Sequence, residues 1–305
     1  MGMLETRVAG IKLKNPTVLA SGVLGTTGPS LRRIAEEGAG AVTTKSLGTV
    51  PREGHKNPTV VELGEGSILN AMGLPNPGVG NYFEELSEAK KGGVPVIASV
   101  FGGTADEFAE VAAKIEEAGP DMIELNVSCP NVGKGTLFGK DPVSAAEVTK
   151  KVKAAVKVPV TVKLTPNADR VVEVAKAVEE AGADAITAIN SVGPGMAIDI
   201  ETNLPILSNR VGGLSGAAIR PIAVKHVFDI YENVKIPIIG LGGISNGQDA
   251  IEMLMAGASA VGIGTAVYYQ GIDVFKKVSK EIEEFMTRKS FKSIKELVGL
   301  AHGGG

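Results

Sequence analysis

One cysteine stands where a predicted strand gives way to a loop. Cys129 is the only cysteine in 305 residues, and it follows the apolar run 122–125. A lone cysteine forms neither an intrachain disulfide nor a multi-cysteine metal site, so its thiol is either a small buried group or a nucleophile or general base. The amides of Asn126 and Asn131 and the glycine- and lysine-rich segment 133–135 favour the reactive thiol.

Composition limits the classes of function. The chain carries a net charge of −3 and 44% hydrophobic residues, which gives a core but no reason to expect nucleic acid or an anionic membrane as partner. No run approaches the roughly 18 apolar residues of a spanning helix. The first residues lack the apolar stretch of a secretory signal, and a single cysteine fits a reducing compartment, so we expect a cytoplasmic protein without a membrane partner.

Short apolar runs and amphipathic segments alternate along the chain. Segments 106–118 and 168–181 carry apolar residues at helical spacing. Three helix–strand joints repeat a glycine, at Gly38, Gly182 and Gly257, where a left-handed residue ends a helix. The β-rich runs that alternate with the helical patterns are 17–21, 41–46, 95–100, 122–126, 159–164, 185–190, 237–242 and 260–265.

This repeat predicts an α/β protein with a closed (β/α)8 barrel, the TIM barrel, as a single domain over residues 1–305. An open doubly wound sheet is the alternative. Two inserts without a long helical pattern, 48–80 and 191–215, follow the second and sixth predicted strands. Both are therefore expected as irregular loops on the C-terminal face, where barrel enzymes have their active sites.

Polar side chains occur at the ends of the predicted strands, which converge on one mouth of a barrel. They are Ser21, Lys45, Ser46, Ser99, Asn126, Lys163 and Asn190. The two lysines need an explanation, because a lysine is almost never buried without a partner. Either an acid such as Glu124 forms a salt bridge with them, or the mouth binds an anionic ligand.

Glycine turns at the last two strands indicate where a phosphate binds. Gly242 and Gly243 follow the seventh run, and Gly264 and Thr265 end the eighth. Barrels often bind phosphate with these loops, through backbone N–H groups. The pattern from Gly240 onward is not a complete dinucleotide fingerprint, and no Walker A motif occurs. The histidines lie far apart, so no metal site is expected.

Several segments resemble one enzyme family. Segment 126–132, Asn-Val-Ser-Cys-Pro-Asn-Val, resembles the catalytic-loop signature of dihydroorotate dehydrogenases, and segment 70–78, Asn-Ala-Met-Gly-Leu-Pro-Asn-Pro-Gly, resembles their substrate loop. Lys45-Ser46 and segments 163–167 and 213–216 match in the same order. Within the family, the chain is most similar to the class 1 cytosolic enzymes of subtype B, and the resemblance covers nearly the whole length.

The resemblance implies roles for individual residues. It places FMN against Ser21, Lys45, Ser46, Ser99, Asn126, Lys163, Ile189, Gly216, Gly242, Gly243, Gly264 and Thr265. It places dihydroorotate against Lys45, Asn70, Met72, Gly73, Leu74, Asn126, Asn190 and Ser191. It makes Cys129 the catalytic base. Two positions depart from the usual pattern, because this subtype often carries Asn at the position of Ser99 and Thr at that of Ser191.

The resemblance also implies an activity and a partner. The expected reaction is FMN-dependent oxidation of (S)-dihydroorotate to orotate in the synthesis of UMP. Electrons would pass to NAD⁺ through a separate subunit with FAD and a [2Fe–2S] cluster, around a homodimer core of a heterotetramer. A cluster needs about four ligands, mostly thiolates, and this chain has one cysteine.

Three alternatives remain open from the sequence. The chain could be the fumarate-using subtype, which needs no partner subunit. It could be a pyrimidine reductase of the dihydropyrimidine dehydrogenase kind, whose substrate has no carboxylate. It could also be a barrel without catalytic activity that binds a phosphorylated metabolite.

Overall fold

Strands and helices alternate through most of the chain. A computed structural model describes residues 2–128 and 138–303. The strands are β1 Thr6–Val8, β2 Ile11–Leu13, β3 Thr17–Leu19, β4 Ala41–Thr43, β5 Val60–Gly64, β6 Ser67–Asn70, β7 Val96–Val100, β8 Met122–Asn126, β9 Val160–Leu164, β10 Ala185–Ala188, β11 Val192–Gly195, β12 Ile198–Asp199, β13 Leu204–Pro205, β14 Gly212–Gly216, β15 Ile238–Leu241 and β16 Ala260–Ile263.

Helices cover the outside of the sheet. They are α1 Gly28–Glu36, α2 Phe83–Lys90, α3 Ala105–Glu116, α4 Pro142–Ala155, α5 Val171–Glu180, α6 Arg220–Asn233, α7 Gly247–Met255, α8 Thr265–Gln270 and α9 Val274–Lys289, with 3-10 turns at Val79–Asn81, Phe138–Lys140, Ala217–Ile219, Ile294–Glu296 and Leu300–Gly303. Across the two described ranges, no helix is both long enough and apolar enough to cross a bilayer.

Eight parallel strands close into a barrel, in the order β10, β15, β16, β3, β4, β7, β8 and β9. The predicted (β/α)8 barrel is therefore confirmed, and the open sheet is wrong. Each predicted β-rich run contains one barrel strand. The glycines at the three repeated joints have φ of +109° at Gly38, +97° at Gly182 and +120° at Gly257, so they end their helices in the left-handed region as predicted.

Several barrel strands are shorter than the runs that predicted them, and they lose residues at the carboxyl end. Run 41–46 contains a strand only over Ala41–Thr43. Beyond it, the Lys45 backbone N donates to Gly25 O at 2.8 Å. The chain leaves the ladder at this point, which frees the following side chains to face the barrel mouth.

The barrel interior changes from apolar to polar along its axis. At the amino-terminal end, Val8 and Leu13 of the β1–β2 hairpin pack with inward side chains such as Ile97 and Met122. Towards the carboxyl end the inward side chains are polar and buried, namely Ser99, Glu124, Thr161 and Thr187. A closed barrel normally fills this space with branched apolar residues, so the polar layer indicates a functional end.

The two inserts lie at the C-terminal face as predicted, but the expectation that they are irregular is wrong. They pair into one antiparallel sheet in the order β11, β14, β6 and β5. Asn70 of the first insert lies opposite Gly213 of the second in the β6–β14 register. Strand β14 consists almost entirely of glycine and small residues, so it has no apolar alternation that a search for strand periodicity would detect.

We expect Phe108→Ala to lower the free energy of unfolding by about 3–5 kcal/mol, because it leaves a cavity in the core. Phe108 is fully buried on α3, and its ring lies 5.7 Å from that of Phe138 in an edge-to-face arrangement. Urea denaturation followed by circular dichroism measures the loss. The control is Val143→Ala at a side chain that is 75% exposed, where a change within about 0.5 kcal/mol is expected. Equal stability of the two variants would contradict the packing.

Candidate active site

A cavity of about 730 Å³ opens at the carboxyl end of the barrel, under the insert sheet. Its volume lies within the roughly 300–1,000 Å³ range of small-molecule sites. Seventeen of the residues assigned to cofactor or substrate line it: Ser21, Lys45, Ser46, Asn126, Lys163, Ile189, Gly216, Gly242, Gly243, Gly264 and Thr265, together with Asn70, Met72, Gly73, Leu74, Asn190 and Ser191. Residues far apart in the chain therefore meet at one place.

A second cavity of about 560 Å³ lies beside the first. The two share part of their walls, formed by Gly73, Leu74, Asn126, Asn190 and Ser191. These shared residues all belong to the group assigned to the substrate by resemblance. The predicted cofactor residues other than Asn126 and Ser99 line the first cavity only, and so do Asn70 and Met72 of the predicted substrate group.

Two predicted residues remain to be placed. Cys129 lies outside the described residues. Its neighbour Ser128 lines the second cavity and accepts a hydrogen bond from Asn190 Nδ2 at 2.9 Å. Ser99 is fully buried behind the wall of the first cavity, where its Oγ lies 2.9 Å from Ser46 Oγ. Its side chain thus supports the wall from behind.

Hydroxyl and amide groups form a connected network along the wall. Ser46 Oγ accepts a hydrogen bond from Asn126 Nδ2 at 3.1 Å. Asn126 Oδ1 in turn accepts one from Asn190 Nδ2 at 3.2 Å. Ser21 Oγ lies 3.3 Å from Ser46 Oγ and donates to Thr44 O at 2.8 Å. These bonds fix the side-chain rotamers, so the polar groups are held in place before a ligand arrives.

The buried lysines differ in their partners. Lys163 Nζ lies 3.9 Å from Glu124 Oε1, so the predicted salt bridge with Glu124 is confirmed for this lysine. Lys45 is only 7% exposed, and no described residue accepts a hydrogen bond from its Nζ or pairs with it. Burial lowers the pKa of Lys45 below its usual value, and the positive charge of Lys163 lowers it further. The cavity therefore presents positive charge to an anion.

Glycine backbone forms the side of the cavity next to the last strands. Gly216 has φ of +94°, and a Cβ there would lie 2.1 Å from Gly66 O. Gly243 has φ of +73°, and a Cβ there would lie 2.6 Å from the Cβ of Arg220. Only glycine satisfies both the conformation and the close approach. The loops predicted to bind phosphate are thus brought together against a single cavity.

The sequence did not reveal several lining residues. The β5–β6 hairpin contributes Glu62 and Glu65, and α8 contributes Tyr268 and Tyr269. Tyr269 Oη donates to Ser67 O at 2.9 Å and so ties the helix to the hairpin. The only signal for the tyrosines was their position just beyond the eighth run. The second cavity adds three basic residues that were not assigned to the site, namely Arg52, His55 and Lys140.

Comparisons with known proteins agree with this geometry. The sequence profile of the family described as Dihydroorotate dehydrogenase matches residues 3–286. The chain belongs to the dihydroorotate dehydrogenase family. The match includes all sixteen strands and therefore the insert sheet as well as the barrel.

Curated relatives carry a more specific name, "Dihydroorotate dehydrogenase B (NAD(+)), catalytic subunit". The protein of that name from Methanocaldococcus jannaschii is 54% identical over 98% of both chains. The one from Methanocella arvoryzae is 56% identical, again over 98% of both chains. The one from Pyrococcus abyssi is 49% identical over 98% of this chain and 99% of the relative.

We expect Lys45→Met to stabilise the ligand-free protein by about 1 kcal/mol, because it removes a desolvated charge and keeps the apolar stem. The lowered pKa of Lys45 means that the folded state binds this proton less tightly than the unfolded state. The penalty is therefore complete below the lowered pKa and fades as pH rises towards the usual lysine value of 10.5.

Urea denaturation at neutral pH and at pH values near that of free lysine measures this effect. The matched control is Lys176→Met on the exposed face of α5, which should change stability little at either pH. A Lys45→Met protein that is less stable than the wild type at neutral pH would show that Lys45 is a structural cation.

Proposed function

We propose that this chain is the catalytic subunit of an NAD⁺-linked dihydroorotate dehydrogenase, which oxidises (S)-dihydroorotate to orotate in the synthesis of UMP. The observation that carries the proposal is the boundary between the two cavities. The amide side chains of Asn126 and Asn190 lie on the wall that the two cavities share, and the buried ammonium of Lys45, which has no counter-ion among the described residues, lies on the wall of the first. The names of the relatives support the same activity.

FMN is the cofactor that we propose for the first cavity, in a single domain over residues 1–305. Two features fit this cofactor. The backbone of Gly216 and Gly243, where a Cβ has no room, lines one side of the cavity, and the two buried ammonium groups of Lys45 and Lys163 suit an anionic cofactor. The residues that would hold it are Ser21, Lys45, Ser46, Asn126, Lys163, Ile189, Gly216, Gly242, Gly243, Gly264 and Thr265. When bound, FMN supplies the acceptor for a hydride from the substrate. Ser99 would act indirectly, through Ser46.

Dihydroorotate would bind at the boundary between the cavities. Lys45 would pair with its carboxylate, while Asn70, Asn126 and Asn190 each offer an amide donor and an acceptor that match the two carbonyls and ring N–H groups. Asn70 Nδ2 also donates to Gly213 O at 3.2 Å, so the insert sheet orients this side chain. Met72, Gly73, Leu74 and Ser191 would complete the substrate wall.

Cys129 would act as the base. Loss of the ring C5 proton to its thiolate and of a hydride from C6 creates the C5=C6 double bond of orotate. Ser128, the residue before Cys129 in the chain, accepts a hydrogen bond from Asn190. Lys163 places a positive charge in the cavity wall, where it would stabilise the negative charge that reduction adds to the site.

We further propose a second subunit with FAD and a [2Fe–2S] cluster, arranged around a homodimer core of a cytoplasmic heterotetramer. The single cysteine of the chain supports this, because a cluster takes about four ligands, mostly thiolates. The words "catalytic subunit" in the names of the relatives also imply a partner.

We expect Cys129→Ala to bind FMN as the wild type does and to be reduced by dihydroorotate at least about 100-fold more slowly, because the base is lost. Stopped-flow absorbance of the flavin measures the rate. Cys129→Ser should keep partial activity that is best at high pH, since a hydroxyl is a weaker acid than a thiol with its pKa of about 8.5. Reduction of Cys129→Ala at the wild-type rate would remove Cys129 from the mechanism.

The isolated chain should reduce artificial dyes with dihydroorotate but reduce NAD⁺ poorly, because it lacks a second redox centre. Adding the partner subunit should restore NAD⁺ reduction in a steady-state assay. Dihydrouracil serves as the control substrate, and it should react far more slowly because it offers no carboxylate to Lys45. Fast turnover of the chain alone with NAD⁺ or with fumarate would contradict the need for a partner.

A further inference from the structure

Glu124 is a buried carboxylate that the proposed mechanism does not use. It lies on β8, opposite Ser99 of β7 and Thr161 of β9 in the barrel register. Glu124 is 3% exposed and lines neither of the two cavities. Its carboxylate is therefore behind the site, in the polar layer of the barrel, and would not touch a ligand.

The contacts of Glu124 lead to the first cavity. Its Oε1 accepts a hydrogen bond from Ser99 Oγ at 3.1 Å, and the same oxygen lies 3.9 Å from Lys163 Nζ. The side chains of Lys163 and Glu124 are 6% and 4% exposed, so water screens their attraction little. Lys163, unlike Glu124, does line the cavity.

The charges in this region do not cancel. Lys45 and Lys163 are two buried cations close enough for Lys163 to lower the pKa of Lys45. Glu124 is the only one of the buried acids in the described ranges that pairs with either lysine, because the other, Asp249, pairs with Arg220. Two cations and one anion leave a net positive cluster, and the carboxylate decides how positive it is.

We propose that Glu124 is a positioning residue that holds the Lys163 ammonium at the cavity wall and sets how strongly the site prefers reduced over oxidised FMN. The inference rests on the proposed function, since it requires FMN in the first cavity. Reduction adds negative charge to the site, so a net positive cluster favours the reduced cofactor. Glu124 opposes this preference and so lowers the reduction potential, which suits a protein that passes electrons on to NAD⁺.

A purely structural role predicts something different. Neutralising one partner of a buried ion pair costs stability, because the other charge is left uncompensated, but a loss of stability alone does not report on the cofactor. If Glu124 only filled space, the neutral and nearly isosteric Glu124→Gln would leave the potential unchanged. A change in potential without a change in fold is therefore the signature of the charge.

The test compares FMN-loaded wild type with Glu124→Gln. Binding of oxidised FMN is measured by fluorescence quenching, and the potential by spectroelectrochemical titration. We expect the ratio of affinities for reduced and oxidised FMN to rise at least tenfold, which is about 30 mV for a two-electron couple. Glu124→Asp keeps the negative charge, so its ratio of affinities should lie closer to that of the wild type than to that of Glu124→Gln. The control Glu147→Gln, on the exposed face of α4, should change the ratio less than twofold.

A second measurement uses the ligand-free protein and does not depend on FMN. Lys163→Met leaves Glu124 buried without its counter-ion and should lower the melting temperature. Adding Glu124→Gln to Lys163→Met should raise the melting temperature again. Comparison of Lys163→Met with the double variant tests the pairing even if Glu124→Gln alone does not fold. A double variant no more stable than Lys163→Met would overturn the proposed pairing of Lys163 with Glu124.

The outcomes separate the two proposals. A wild-type protein that binds no FMN, or whose flavin dihydroorotate does not reduce, contradicts the proposed function. A wild-type protein that behaves as proposed, with a Glu124→Gln ratio within twofold of its own, overturns the role of Glu124 alone.

Discussion

Burial of positive charge is the constraint on which the rest of the structure depends. Lys45 and Lys163 keep their side chains inside the carboxyl end of the barrel, and within residues 2–128 and 138–303 only the carboxylate of Glu124 pairs with either. Such an arrangement is unfavourable in an apolar interior, so it requires polar neighbours, and it suits an anionic ligand. The serine, threonine and amide side chains at the carboxyl end of the barrel are these polar neighbours. The adjoining cavity leaves room for the ligand.

Closure of the barrel makes this arrangement possible. Parallel strands end at the same mouth, so residues at or just beyond the ends of β4, β8, β9 and β10 meet although they are spread over about half of the chain. The apolar amino-terminal half, with the hairpin of β1 and β2 beneath it, holds the strands in register. Stability and chemistry are thereby assigned to opposite ends of the barrel, and the polar end can depart from ordinary core packing without unfolding the protein.

Local patterns in the sequence predicted the barrel and the polar strand ends and glycine turns of the cavity wall, while the resemblance to a family supplied other wall residues such as Asn70 and Ile189. Apolar runs mark the strands, and polar residues at their ends mark the mouth. The sheet of the inserts was beyond such reasoning, since the pairing of Asn70 with Gly213 joins distant residues through backbone groups alone. Tyr268 and Tyr269 carried no strand-end signal. Ser99 occupies a strand, but only the structure shows that its hydroxyl supports Ser46 from behind.

The insert sheet also dictates when the site can exist during synthesis of the protein. Asn70 is oriented by Gly213, a partner 143 residues later in the chain, and β16 completes the barrel later still. Contacts of such long sequence separation form late in folding. On the ribosome, segment 70–78 is therefore synthesised long before the β14 backbone that positions Asn70. The cavity at the barrel mouth is therefore complete only after β16 has been synthesised.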